Sequence, residues 1–188
     1  KKALTLVTAG PGLTNVITAM AGAYLESREL LVIGGQVKTQ DLSRGEVRQR
    51  GIQEIDGVAI TRPLTVKSSL LDSPVSFEKF SAAIDGATEG RKGPVFLEIP
   101  LDIQAREVEG EKVNFNSVRT KPLPQIPERE LTQVLEWIKG SKRPLFLIGG
   151  GVSRKAMQEA IGGLEGTKIP IATTWNGADR IEAGHPLY

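Results

Sequence analysis

Ala9-Gly10-Pro11-Gly12-Leu13-Thr14-Asn15 joins a β-rich run to a helical one, and its residue types could hold a ligand. Gly10 and Gly12 let backbone approach a bound group, Pro11 stiffens the turn, and Asn15 offers both a donor and an acceptor. Glycines placed for steric reasons alone would give the same pattern. A second turn, Gly149-Gly150-Gly151-Val152-Ser153, also leads from a strand into a helix. The free N–H groups and partial positive charge of a helix start suit a phosphate or pyrophosphate. This turn is neither a G-x-G-x-x-G fingerprint nor a Walker loop. The third candidate is the loop Gln36–Ile52, which carries Lys38, Arg44, Arg48 and Arg50. It could meet an anionic substrate or stand as a solvated basic loop.

Much chemistry is excluded. The chain of 188 residues has no cysteine and one histidine, His185. Disulfides, thiolate nucleophiles and cysteine-based zinc sites are therefore absent, and a Ser/His/Asp triad would have to be built on His185. No metal site is assigned, and no carboxylates are spaced as a glycosidase pair. Lysine plus arginine number 24 against 22 acidic residues, so a net charge of +2 argues for neither nucleic acid nor an anionic membrane. The longest apolar runs fall far short of the roughly 20 residues that span a bilayer. The composition reads as an intracellular, soluble, cytoplasmic α/β protein.

The elements that must position these turns follow from the pattern of apolar residues. Runs at 3–8, 30–33, 64–68 and 94–99 read as strands, two of them almost wholly apolar, as in parallel sheets covered on both faces. Between the last two, Phe77, Phe80, Ile84 and Ala87 recur at helical spacing. Residues 13–25 form a helix apolar nearly all round, which packs between its sheet and a neighbouring helix or also against another subunit. Residues 102–126 are polar and end in spaced prolines, as an interdomain linker does. Beyond it come a helix over 128–140 with the stripe Leu131, Val134, Leu135 and Ile138, a strand at 144–148, a helix near 153–164 and a strand at 169–174. Trp175 at that strand's end is core or rim packing, or a stacking surface for a ligand. The expected architecture is two partial doubly wound, Rossmann-like parallel-sheet units, 1–101 and 127–188, joined by the 102–126 linker. Both ends look cut, so the chain is expected to be an internal piece of a longer protein.

The order GPGLTN, LLVIGGQV, IQEIDGVAITRP, EGRKGPVFLEIPLDIQ, PLFLIGGGV, IPIATTWNG resembles one family over nearly the whole chain. That family is the catalytic subunit of acetohydroxyacid (acetolactate) synthase and related thiamine-diphosphate enzymes. The resemblance implies a pyrimidine-binding first domain and a central FAD domain. It places Pro11 and Asn15 by the cofactor's pyrimidine ring and Gln53 at the reaction centre. It sets Arg91, Gly149, Gly150, Gly151, Thr174 and Trp175 along the flavin. Magnesium ligands and the glutamate that activates the cofactor are implied to lie outside this chain, which alone is then expected to be inactive. The implied reaction is decarboxylation of pyruvate on the thiazolium carbon and transfer of the two-carbon unit to a 2-keto acid, in a homo-oligomer.

Two departures stand out. Ile52 replaces the family's usual Phe before the Gln, and Leu101 replaces its Lys after the Ile-Pro. The arginine-rich loop is similar to that of relatives associated with surface-polysaccharide pathways, where a sugar nucleotide accepts the two-carbon unit. A non-catalytic nucleotide-binding module is the remaining alternative. For Gln53 itself, Ile52, Ile55 and Val58 sit at helical spacing, a stripe expected to anchor the segment in the core and leave Gln53 off it. An amide can donate a hydrogen bond where a carbanion forms without bringing an acidic proton. A Gln that merely caps local backbone is the other reading.

Overall fold

The computed structural model describes residues 3–107 and 125–188. The chain divides into two compact units, the first ending at Val118 and the second beginning at Arg119. Each is described by itself.

In the first unit, β1 (Ala3–Val7), β2 (Leu30–Gln36), β3 (Lys67–Leu70) and β4 (Pro94–Pro100) form one four-stranded sheet in the order β1-β2-β4-β3. Every neighbouring pair is parallel, with Leu6 beside Ile33 and Ile33 beside Leu97. The central strand β4 is buried almost throughout, which accounts for its apolar run PVFLEIP. Its alternation feeds two cores. Phe96 packs with Leu13, Met20 and Val32 on one face, and Val95 and Leu97 pack with Ala83 and Ala87 on the other. The second face is covered by α4 (Phe77–Asp85), whose cap Ser76 accepts from Lys79 N–H.

The first face departs from expectation. The helix expected over 13–25 is two pieces, α1 (Pro11–Thr14) and α2 (Ile17–Leu25), broken at Asn15-Val16. Met20 is fully buried, yet Leu25 is 75% exposed and a Cβ on Gly22 would meet nothing. The sheet covers only one side of α2, and no neighbouring helix among the described residues covers the other. The strand expected at 64–68 begins later, at Lys67. Arg62-Pro63-Leu64 instead extend the short α3 (Gly57–Thr61) as a 3-10 turn, because Pro63 cannot donate to a ladder. α5 (Leu101–Gln104) follows β4 directly, so the expected linker begins in a helical turn; its residues 108–124 lie outside the described ones.

In the second unit, β5 (Phe146–Ile148) and β6 (Ile171–Thr173) pair in parallel. α7 (Arg154–Thr167) covers them through Met157, Ile161 and Leu164. α6 (Glu128–Gly140) forms where expected, but its stripe is not buried. Leu131, Val134 and Leu135 are exposed among the described residues, because the two-stranded sheet already has α7 on it.

Candidate active site

The C-terminal ends of β1, β2 and β4 surround an open cleft of about 550 Å³, the place where parallel α/β sheets hold ligands. Leu6, Val7, Thr8 and Ala9 line one side, and Gly34 to Val37 and Ile99 the floor. Ile52, Gln53, Leu101 and Gln104 complete it, so no charged side chain lines the cleft. Gln104 is fixed by donating from Nε2 to the Ile99 carbonyl at 2.8 Å.

Gln53 is brought there by backbone rather than by a helical stripe. Its φ is +61°, in the left-handed region that costs a non-glycine residue energy. Ile52 is 86% exposed at the cleft, contrary to its expected burial, because helix begins only at Gly57. Ile55 and Val58 do pack against the Phe96 core and anchor the turn from the other side. The turn also presses on the first glycine. A Cβ on Gly10, itself at φ +58°, would stand 2.2 Å from the Gln53 carbonyl oxygen. The glycine therefore serves close approach between two chain segments.

The arginine-rich loop is tied down by one carboxylate. Glu54 accepts from the N–H of Ser43 at 2.5 Å, Arg50 at 2.8 Å and Gly51 at 3.2 Å. Burial works to raise its carboxyl, but the N–H groups of Arg50, Ser43 and Gly51 and the Ser43 hydroxyl prevail and lower it to about 2. Two of the loop's arginines are paired, Arg44 with Asp72 and Arg50 with Glu46. Where the loop begins, Asp102 accepts from the Thr39 hydroxyl at 2.7 Å and N–H at 2.9 Å, which holds its carboxyl below the usual range.

Beneath the cleft lies a buried carboxyl, Glu98 on β4, 3% exposed. Burial pushes it up to about 7, opposed by a hydrogen bond from the Gln36 side chain and reinforced by the charges of Asp56 and Glu54. Gln36, also buried, donates from Nε2 to the Ile55 carbonyl and accepts at Oε1 from Val37 N–H, both at 2.9 Å. Gly57 packs directly on Glu98, since a Cβ there would stand 2.3 Å from Glu98 Oε1.

The other expected site residues are placed as follows. Pro11 opens α1 and Asn15 caps its C-terminal end, both with exposed side chains that follow the cleft wall in sequence but lie outside its lining. Arg91 is taken up at the C-terminal end of α2. Its Nε donates to the Ser27 hydroxyl at 2.9 Å and its Nη2 to the Tyr24 carbonyl at 3.3 Å. Its guanidinium carbon lies 5.5 Å from the Tyr24 ring centroid. In the second unit, Gly150 is needed for packing against the 3-10 turn Trp175–Arg180, since a Cβ on it would stand 2.8 Å from Asn176 Cβ. Gly149 and Gly151 have no such neighbour; Thr174 precedes that turn and the 95%-exposed Trp175 opens it. Ser153 caps α7 by accepting from Ala156 N–H. His185 bonds Glu165 through Nε2 at 2.9 Å and accepts from Leu187 N–H, contacts that support the fold.

Gln36, Glu54, Glu98 and Asp102 are the residues that sequence reasoning missed. One signal was present: Glu98 interrupts an apolar strand run, where a charge needs a partner.

Residues 1–60 match the profile of the thiamine pyrophosphate enzyme N-terminal TPP binding domain, and residues 131–188 that of the thiamine pyrophosphate enzyme central domain. The chain is 34% identical over 192 residues to an acetolactate synthase of Arthrospira platensis, covering all of this chain and 32% of that protein. It is 32% identical over 193 residues to the acetolactate synthase isozyme 2 large subunit of Escherichia coli, again over its full length and 33% of the relative. A probable acetolactate synthase large subunit of Methanocaldococcus jannaschii is 33% identical over 186 residues, with 96% of this chain and 31% of the relative covered. The chain thus spans about a third of the length of the curated relatives it matches.

Proposed function

Since this chain carries stretches of two successive thiamine pyrophosphate enzyme domains, we propose that it supplies the pyrimidine side of the active site in a thiamine-diphosphate carboligase of the acetolactate synthase type. In a complete protein of the relatives' length, the reaction is decarboxylation of pyruvate and transfer of the two-carbon unit to a 2-keto acid. The observation that carries this is the cleft lined by Ala9 and Gln53, whose lining is free of charged side chains. Its residues fit a neutral heteroaromatic ring, with Gln53 and Gln104 as neutral donors and acceptors and Ile52 and Leu101 as apolar cover.

The bound cofactor supplies the electron sink for the carbanion. This chain's part is orientation and dryness: Gln53 offers an amide hydrogen, and the apolar wall excludes water, which strengthens that contact. FAD is assigned no step. Gly150 packs on Asn176, and the Arg91 guanidinium is engaged at α2. Magnesium ligands are placed outside this chain. The relatives' designation as large subunits supports an assembled enzyme, here read as a homo-oligomer. No helix among the described residues is long and apolar enough to cross a membrane, and the reading places the protein in the cytoplasm.

The arginine-rich 36–52 loop, which could meet an anionic acceptor, and the departures at Ile52 and Leu101 support a second acceptor class, the sugar nucleotides of surface-polysaccharide synthesis. The test is product analysis with the complete protein, thiamine diphosphate, magnesium and pyruvate, with a 2-keto acid or a sugar nucleotide as acceptor. Acetolactate-type products support the first reading. Two-carbon transfer only to the sugar supports the second, and no pyruvate turnover overturns both.

A further inference from the structure

Among the described residues the buried polar side chains are Gln36, Thr61, Thr65 and Glu98. Thr61 and Thr65 donate to carbonyls four residues back, and the Thr61 hydroxyl also meets the Ser68 hydroxyl on β3 at 2.7 Å, so both serve the packing of α3 and the turn that follows it. Gln36 differs. From the end of β2 it reaches 19 residues along the chain to the Ile55 carbonyl. Ile55 belongs to the turn that holds Gln53 at φ +61°. The Gln36 amide is in turn held at its oxygen, where Val37 N–H donates to Oε1 at 2.9 Å. Glu98 carries Gly57, where α3 begins, so the Gln53 turn is gripped just before and just after Asp56.

We propose that Gln36 is a positioning residue for Gln53, holding the 52–57 turn through the Ile55 carbonyl so that the Gln53 carbonyl meets Gly10 and its side chain stays in the cleft. A positive-φ residue in an exposed turn has little to hold it except such contacts. Replacing Gln36 with an apolar residue leaves the Val37 N–H without its side-chain acceptor and the Ile55 carbonyl with the Gly57 N–H alone, at 3.0 Å, and the turn loosens. The effect on turnover rests on the proposed function; the effect on the turn does not.

Two measurements test this. In the full chain, amide hydrogen exchange is followed in wild type, Gln36→Met and Gln36→Asn, the shorter amide that withdraws from Ile55 with less disturbance of the core. Exchange over residues 52–57 is expected to rise roughly five- to tenfold, the scale of one buried hydrogen bond, while β4 amides keep their protection. Unchanged exchange at 52–57 in the folded variants overturns the proposal, as does an equal rise across β4 in Gln36→Asn. In the complete enzyme, Gln36→Met is expected to lower kcat with KM little changed, and to add nothing to Gln53→Ala in the double variant. Losses that multiply overturn the positioning role. If the wild-type complete enzyme turns over no pyruvate, the functional reading fails, and the exchange result still decides the positioning claim.

Discussion

The Cα of Gly10 lies so close to the Gln53 carbonyl that a Cβ on Gly10 would stand 2.2 Å from that oxygen. Gly10 is also at φ +58°, so Gly10→Ala meets both a steric block and a strained backbone. The variant is expected to lose about 1–3 kcal/mol of stability in urea unfolding. Turnover of the complete protein should fall further than that loss explains, because the displaced neighbour is Gln53. A Gly10→Ala protein of wild-type stability would show that the two segments separate freely.

Glu54 is expected to be the staple of the arginine-rich loop. Glu54→Gln weakens the acceptor shared by Ser43, Arg50 and Gly51, so trypsin should cut after Arg44, Arg48 and Arg50 faster at neutral pH. Its folded value lies near 2 against an ordinary 4.5, so its contribution is present above pH 4.5 and lost as pH falls towards 2. The difference in urea midpoint between wild type and Glu54→Gln should shrink over that window. A difference that stays constant there assigns the effect to shape rather than charge.

Glu98 has the opposite sign. Raised from 4.5 to about 7, it keeps its proton in the folded protein where the unfolded chain has released it. Its contribution is fully present below pH 4.5, declines as pH rises, and is lost above about 7. Glu98→Gln should gain stability relative to wild type across that interval, measured as the difference in urea midpoint. A difference independent of pH would mean that the carboxyl is solvated.

Arg91→Ala is expected to fray the end of α2, because the lost contacts are the Ser27 hydroxyl and the Tyr24 carbonyl. At an exposed site the cost should be about 1 kcal/mol or less. Flavin retained by the complete protein should be unchanged if those contacts are the residue's whole role. A loss of flavin absorbance in a folded variant would restore the flavin contact that the resemblance implies.

Strand runs and their parallel pairing were legible in the sequence because β4 is buried on both faces and β2 is buried on one and half-buried on the other, and both carry almost no polar residue. The turn at Gly10 was legible as a close approach, though not what approached it. Gln53 lines the cleft, but not for the reason of spacing: Ile52 is exposed, and the helical spacing over 52–58 reflects no helix before Gly57. What holds the site was hidden because Gln36 pairs across 19 residues and Asp102 across 63, distances at which spacing carries no signal. The α6 stripe was visible as a stripe, but its covering partner is not among the described residues.

The most direct test of the central claim is steady-state turnover of pyruvate by the complete protein with thiamine diphosphate, comparing wild type with Gln53→Ala at matched thermal stability. Placing Gln53 at the reaction face predicts a fall in kcat on the order of tenfold or more, the scale of one lost polar contact to the transition state. Equal turnover in a folded Gln53→Ala protein would contradict it and leave Gln53 a residue of the turn alone.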